Sequence, residues 1–351
     1  MGYAERFAGL PLKDEPLILG IESSCDETAA AVIRGRRLLS DAVISSAAVQ
    51  AEYGGVVPEI ASRAHTDAIG AAVERAVAEA GVAPADLDAV AVTYGAGLLG
   101  ALLVGLSFAK SYAYALGVPL IAVDHIRGHM AAAYLADPSL EPPFITLLAS
   151  GGHTAVLYTE SYTAFEILGS TRDDAAGEAF DKAARVLGLP YPGGPSVEKL
   201  AREGTPCVPL PKMFAGAGYD FSYSGLKTAV VNYCHTKEQK GEPYSRADVA
   251  ASFQCAACDV LAERAAAAAR AKNCRTVAAG GGVIANGYLR RKLADVCKKE
   301  GLRLVLPEKK YCTDNAAMIA AEGLVQYRAG NFAPLTLNAC AHIPLGKKGK
   351  Q

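Results

Sequence analysis

"PLILGIESSCDETAAAVI", residues 16–33, is an apolar run, a short polar turn and a second run rich in Ala, Val and Ile. That pattern predicts strand, turn, strand. Residues 143–158, "PFITLLASGGHTAVLY", have the same shape. Setting Ser24 on Ser150 also sets Thr28 on Thr154, with an apolar run on each side. Two hairpins of one design indicate an internal duplication.

Outward from the hairpins, strands and helices alternate. "VVPEIASRAHTDAIGAAVERAVAEAG" (56–81) has helical apolar spacing and ends in Gly81. "LDAVAVTYGAGLLGALLVGLSFAKSYAYALG" (87–117) is a buried strand, a glycine turn and a helix, and "VPLIAVDHIRGHMAAAYLA" (118–136) is a strand running into a helix at Asp124. The later half repeats the pattern in "NCRTVAAGGGVIANGYLRRKL" (273–293) and "RLVLPEKKYCTDNAAMIAAEGLVQYRAG" (303–330). The expected architecture is α/β, two related lobes with a cleft between them and ligands beyond the strand ends. The lobes are placed at 17–142 and 143–335, with 1–16 and 345–351 as terminal extensions.

Of 351 residues, 51% are hydrophobic and 20% charged, an ordinary globular composition. A formal net charge of −1 advertises neither nucleic acid nor an anionic membrane. The basic clusters "YLRRKL" (288–293), "CKKEGLR" (297–303) and "GKKGK" (346–350) read as solvated faces or a tail. Nine cysteines follow no disulfide framework, the first 16 residues hold no apolar leader, and no run reads as a membrane span. A reducing cytoplasm is expected. "CAAC" at Cys255–Cys258 lies in an Ala-rich helical stretch and reads as two small helix residues rather than a redox or zinc pair.

Only six histidines occur, and two of them, His125 and His129, stand four apart. In a helix starting near Asp124 they share one face, which suits two ligands on a first-row metal. Two partly buried polar side chains would show the same spacing. A zinc peptidase needs Glu directly after the first histidine, and Ile126 stands there. Asp314, at the start of the last helix, is a third ligand candidate, although helix capping is its simplest local role. Two imidazoles and one carboxylate with open positions would suit Zn²⁺ or Fe²⁺.

Glycine-rich turns form a second constellation. "ASGGHT" (149–154) and "AGGGVIANGYL" (279–289) bring backbone amides close to a phosphate or carboxylate, and Asn286 could bond a ribose or base. Neither fits the Rossmann or P-loop pattern. In "GSTRDDAAGEAFDKAARVLGLPYPGGPSVEKLA" (169–201), Asp174, Glu178 and Asp181 are expected on one helix face, mildly repulsive unless something offsets them. "YPGGP" there is a rigid turn able to press its backbone on a ligand.

Together, "GIESSCDET", "DHIRGH", "ASGGHT", "DDAAGEAFDKAARVLGLPYPGGP", "GGGVIANGYL" and "TDNAAMIA" resemble the bacterial TsaD family, formerly called Gcp or O-sialoglycoprotein endopeptidase. The resemblance spans residues 17 to 335. It implies an actin-like ATPase (ASKHA) fold of two duplicated lobes with a central cleft. It implies transfer of a threonylcarbamoyl group from threonylcarbamoyl-AMP to N6 of the adenosine 3′ of the anticodon in tRNAs reading ANN codons. Carried over by position, His125, His129 and Asp314 match ligands of one divalent metal ion, Fe²⁺ or Zn²⁺. Leu148, Ala149, Ser150, Gly151, Gly152, Asp181, Gly194 and Asn286 match substrate-binding positions. Glu22, Asp26 and Glu27, in the first turn, are candidates to assist deprotonation of the amine. The implied partners are tRNA, a TsaB-like paralogue, a TsaE-like ATPase and a TsaC-type source of the intermediate, without a membrane. The rival expectations are a sugar-kinase-like enzyme on the same fold, a metalloprotease, which Ile126 disfavours, and a non-catalytic scaffold, which the intact His125, His129 and Asp314 set disfavours.

Overall fold

The computed structural model describes residues 2–211 and 218–345; the basic tail "GKKGK" lies outside the described residues. β1 (Leu17–Glu22) and β2 (Glu27–Arg34) form the first hairpin, and β3 (Arg37–Ser45) extends it. Then come α1 (Ala47–Glu52), α2 (Pro58–Ala80), β4 (Ala89–Gly95), α3 (Leu99–Leu116), β5 (Leu120–Asp124) and α4 (His125–Ala136). The series restarts with β6 (Phe144–Ala149), β7 (Thr154–Thr159) and β8 (Phe165–Ser170). Four helices follow: α5 (Ala176–Val186), α6 (Gly193–Ala201), α7 (Ser224–Lys240) and α8 (Arg246–Ala271). The chain ends with β9 (Thr276–Gly280), α9 (Gly287–Lys299), β10 (Arg303–Val305) and α10 (Ala316–Arg328).

The duplication is visible in the sheets. Their strand orders are β3-β2-β1-β4-β5 and, read from the matching edge, β8-β7-β6-β9-β10. In each, three antiparallel strands continue into two parallel ones. Parallel neighbours require crossovers, which the intervening helices supply. α2 shows how the sequence marks such a helix: Pro58 occupies its first turn, and Gly81 ends it in the left-handed region at φ 66°. β1 is buried along its whole length, as expected of a strand whose sheet is covered on both faces.

The chain divides into two compact units, one made of residues up to Leu140 together with Asp314–Leu345, the other of Glu141–Thr313. The break near 140 is close to the expected one, but the expected second lobe runs on to 335, whereas Asp314–Leu345 belongs to the first unit. The reason is packing: Met318, Ile319, Leu324 and Tyr327 of α10 join Ile18, Ile33, Ala91, Ile121 and Val123 of the first sheet in one apolar cluster. Gly20 of β1 makes that approach possible, since a Cβ there would lie 2.4 Å from the Ala316 carbonyl and 2.7 Å from the Ala320 amide nitrogen. Arg127 of α4 and buried Glu322 of α10 add an ion pair at 2.8 Å.

Two expectations need adjustment. The segment before Leu17, expected as a terminal extension, is part of the first unit: Tyr3 and Phe7 are buried in its core, and the Tyr3 hydroxyl donates to the Val118 carbonyl. α3 is long and apolar enough to cross a membrane by length and composition, contrary to the expectation of no such run; here it buries Leu102, Leu106 and Ala109 within the first unit. Cys255 and Cys258 sit in α8 as free thiols, Cys258 fully buried.

Candidate metal centre

β5 ends at Asp124, whose Oδ1 accepts the Ile126 amide at 2.8 Å and caps α4. Starting the helix there places His125 and His129 one turn apart, ring centroids 4.6 Å from each other. The local expectation that Asp314 caps the last helix is not met: Asn315 does so, its Oδ1 accepting the Met318 amide at 2.9 Å. The Asp314 carboxylate is left to face the histidines, with Oδ1 3.3 Å from Nε2 of His125 and 3.3 Å from Nε2 of His129. The ligand atoms of the three residues lie within 4.8 Å of one another. Two imidazole nitrogens and one carboxylate oxygen converging in this way fit one metal ion.

Burial works against charge on all three groups, and neighbours decide the outcome. Burial disfavours the His125 imidazolium, yet the Asp314 and Glu22 carboxylates outweigh it and hold its pKa well above the ordinary value. His129 is pushed down by burial. Burial would raise the Asp314 carboxyl, but the His125 and His129 rings hold it far below the usual carboxylate range. The peptidase position, Ile126, is buried in the core and supplies no base.

The turn between β1 and β2 borders the centre. Glu22 reaches His125 Nδ1 at 3.2 Å, and the Ser24 hydroxyl reaches the same nitrogen at 3.1 Å. Glu27 is raised to about 9 by burial, by a hydrogen bond with and the charge of Asp26, and by the charge of Asp314. The sequence reading missed His65. Fully buried on α2, it bonds the Thr28 hydroxyl at 2.7 Å and the Cys25 carbonyl at 3.0 Å, pinning the turn. Its position among Ala61, Ile69 and Ala72 on the buried face of α2 was the available signal.

In the second unit, Leu148 and Ala149 end β6 as buried strand residues, Ser150 is nearly buried, and Gly151 and Gly152 are exposed with open space beside them. Gly281, at φ 98°, packs on this turn so closely that a Cβ would lie 2.4 Å from the Ala149 carbonyl. Asp181 accepts the Gly193 amide at 2.7 Å, and burial raises its carboxyl; Gly194 is adjacent and has free space around it. Asn286 caps α9 through Leu289 and donates to Gln254 at 2.9 Å. The expected acidic face is modified. Asp174 precedes α5, and Lys182 bridges it to Glu178 at 2.6 and 2.7 Å, while Asp181 turns to Gly193.

Comparison with known proteins gives these residues a context. The family model TsaD, tRNA N6-adenosine threonylcarbamoyltransferase, matches residues 37–321. A tRNA N6-adenosine threonylcarbamoyltransferase of Moorella thermoacetica is 54% identical over 337 residues, 95% of this chain and 98% of that one. One from Clostridium botulinum is 49% identical over 340 residues, 96% and 100%. Among solved structures, HypF of T. kodakarensis superposes with a TM-score of 0.63 at 17% identity, over 91% of this chain and 49% of that one, so the chain spans about half of that protein. The activator of 2-hydroxyisocaproyl-CoA dehydratase from Clostridium difficile gives 0.50 at 14%, over 89% and 96%. At such identities the structures show the fold alone, the actin-like ATPase (ASKHA) type. By the family match and by relatives near half identity over almost the whole length, the chain belongs to the TsaD family.

Proposed function

We propose that the protein transfers the threonylcarbamoyl group of threonylcarbamoyl-AMP to N6 of the adenosine 3′ of the anticodon in tRNAs reading ANN codons. The observation that carries this is the convergence of His125, His129 and Asp314 in a chain of the TsaD family. These residues would hold one divalent ion, Fe²⁺ or Zn²⁺, by their donor set. When bound, such an ion supplies Lewis acidity and an anchor for substrate oxygens.

The chain's own residues do the rest. The Leu148–Gly152 turn, with its open glycines, suits backbone contact with a phosphate. Asp181, Gly194 and Asn286 hold the nucleoside part; Asn286 has a second amide hydrogen beyond the one given to Gln254. Transfer forms a bond from N6 to the carbamoyl carbon, breaks the bond to the phosphate oxygen so that AMP leaves, and releases one proton from N6. Of the three carboxyls in the first turn, Glu22 is fully buried and Glu27 holds a proton at neutral pH, which leaves Asp26 as acceptor. Asp26→Asn is expected to lower kcat about 10²–10⁴-fold with KM nearly unchanged; an unchanged kcat removes Asp26 from this role.

A net charge of −1 leaves tRNA affinity short of the usual electrostatic contribution, and partner proteins in the cytoplasm supply it: a TsaB-like paralogue and a TsaE-like ATPase, with a TsaC-type enzyme making the intermediate. Val49 on α1, Tyr53 just after it, and Leu99 and Leu103 on α3 are large exposed apolar side chains and support a protein-docking face around α2. The test is to incubate the protein and these partners with threonylcarbamoyl-AMP and unmodified tRNA, and to identify the nucleosides by mass spectrometry. Threonylcarbamoyladenosine is expected; its absence with an intact partner set overturns the proposal.

A further inference from the structure

We infer that Glu22 is a positioning residue of the metal centre: its carboxylate fixes the His125 ring with the proton on Nδ1, so that Nε2 presents its lone pair to the ion. This role presupposes that His125, His129 and Asp314 bind a metal, as proposed above.

Glu22 is the last residue of β1 and is completely buried, so it touches neither solvent nor a diffusing substrate. Its oxygens are already engaged. Oε1 accepts the Ser24 amide at 2.5 Å; Oε2 accepts the Thr93 hydroxyl at 2.5 Å and faces His125 Nδ1 at 3.2 Å. Both fixed donors are neutral, and His125 Nδ1 at 3.2 Å is the ionisable partner. A buried carboxylate without a cationic partner is expensive, so the imidazole and whatever it binds complete the charge balance. Asp314 directly and Glu22 through His125 together offset a dication.

Ser24 reaches the same nitrogen at 3.1 Å, but a hydroxyl can either donate or accept and does not select a tautomer. An ionised carboxylate only accepts, and it does select one. Carboxylate–histidine–metal relays of this kind typically contribute 10–100-fold to metal affinity. The other histidine lacks such support among the described residues, where His129 Nδ1 is buried without a hydrogen-bond partner. The β1 strand end thus supports one ligand, His125, through a carboxylate.

The test is titration of the metal-free full-length protein with Co²⁺, followed by its visible d–d absorption and by competition with a chelating dye. Wild type is expected to bind one Co²⁺ and His129→Ala none; a wild type that binds no Co²⁺ overturns the metal reading itself. Given wild-type binding, Glu22→Gln is expected to bind Co²⁺ about 10–100-fold more weakly with an altered spectrum, while the metal-free variant melts as cooperatively as wild type. Wild-type affinity and spectrum in a folded Glu22→Gln overturn the inference alone. Ser24→Ala provides a second variant that leaves the carboxylate in place. Affinity within about threefold of wild type is expected, and a loss of tenfold or more assigns the anchoring to Ser24 and overturns the inference even if Glu22→Gln does not fold.

Discussion

At the scale of single residues, the site depends on which polar groups are free to act. His125 and His129 stood out because four-residue spacing on a helix aligns two rings, but that spacing fits two buried polar side chains equally, and only the resemblance to the TsaD family made them metal ligands. Asp314 was harder to read, since Asp314 and Asn315 are adjacent and both suit a cap; only the structure shows that Asn315 takes the Met318 amide. His65 was hidden for the opposite reason, a polar residue at an apolar position whose partners, Thr28 and Cys25, are distant in sequence. Glu27 yields a pH prediction. Its folded pKa of about 9 lies above the ordinary value of about 4.3, so the folded state holds the extra proton between those values and stability falls as pH rises through the window. Thermal melting of the metal-free protein should show this decline, and Glu27→Gln, which mimics the protonated carboxyl, should flatten it. Equal slopes in the two proteins would remove Glu27 from the account.

At the scale of elements, both hairpins and the alternation of strands with helices were legible from composition and glycine placement, because burial on both faces and tight turns leave local marks. The destination of α10 was not. Its apolar face would cover either sheet, and nothing local states which. Gly20 is the single hint: a glycine inside an apolar strand marks a close backbone approach, and the approaching backbone is Ala316 and Ala320. This contact also fixes the helix that Asp314 precedes. Gly20→Ala is expected to destabilise by about 1–3 kcal/mol, the range for overpacking, because the clash is with backbone and no side chain can rotate away. Denaturant unfolding measures this. A cost under about 0.5 kcal/mol would show that α10 does not press on β1.

At the scale of the whole molecule, the duplicated sheets show one plan used twice, with the final helix returned to the first unit. A chain ending at residue 313 therefore lacks the cover over Ile18, Ala91 and Val123. It is expected to show loss of amide-exchange protection in β1, β4 and β5 while β6, β7 and β9 stay protected, and adding a 314–345 peptide should restore it. Protection equal to that of the full chain would contradict the packing described.

The most direct measurement is metal reconstitution of transfer: strip the protein of metal, add back Fe²⁺ or Zn²⁺ in steps, and follow labelled threonylcarbamoyl-AMP into tRNA with partners present, for wild type and His129→Ala. The account predicts that wild-type transfer vanishes on stripping and returns at one equivalent of ion, while the variant stays inactive at every addition. Full transfer by stripped wild type, or by His129→Ala, would contradict it.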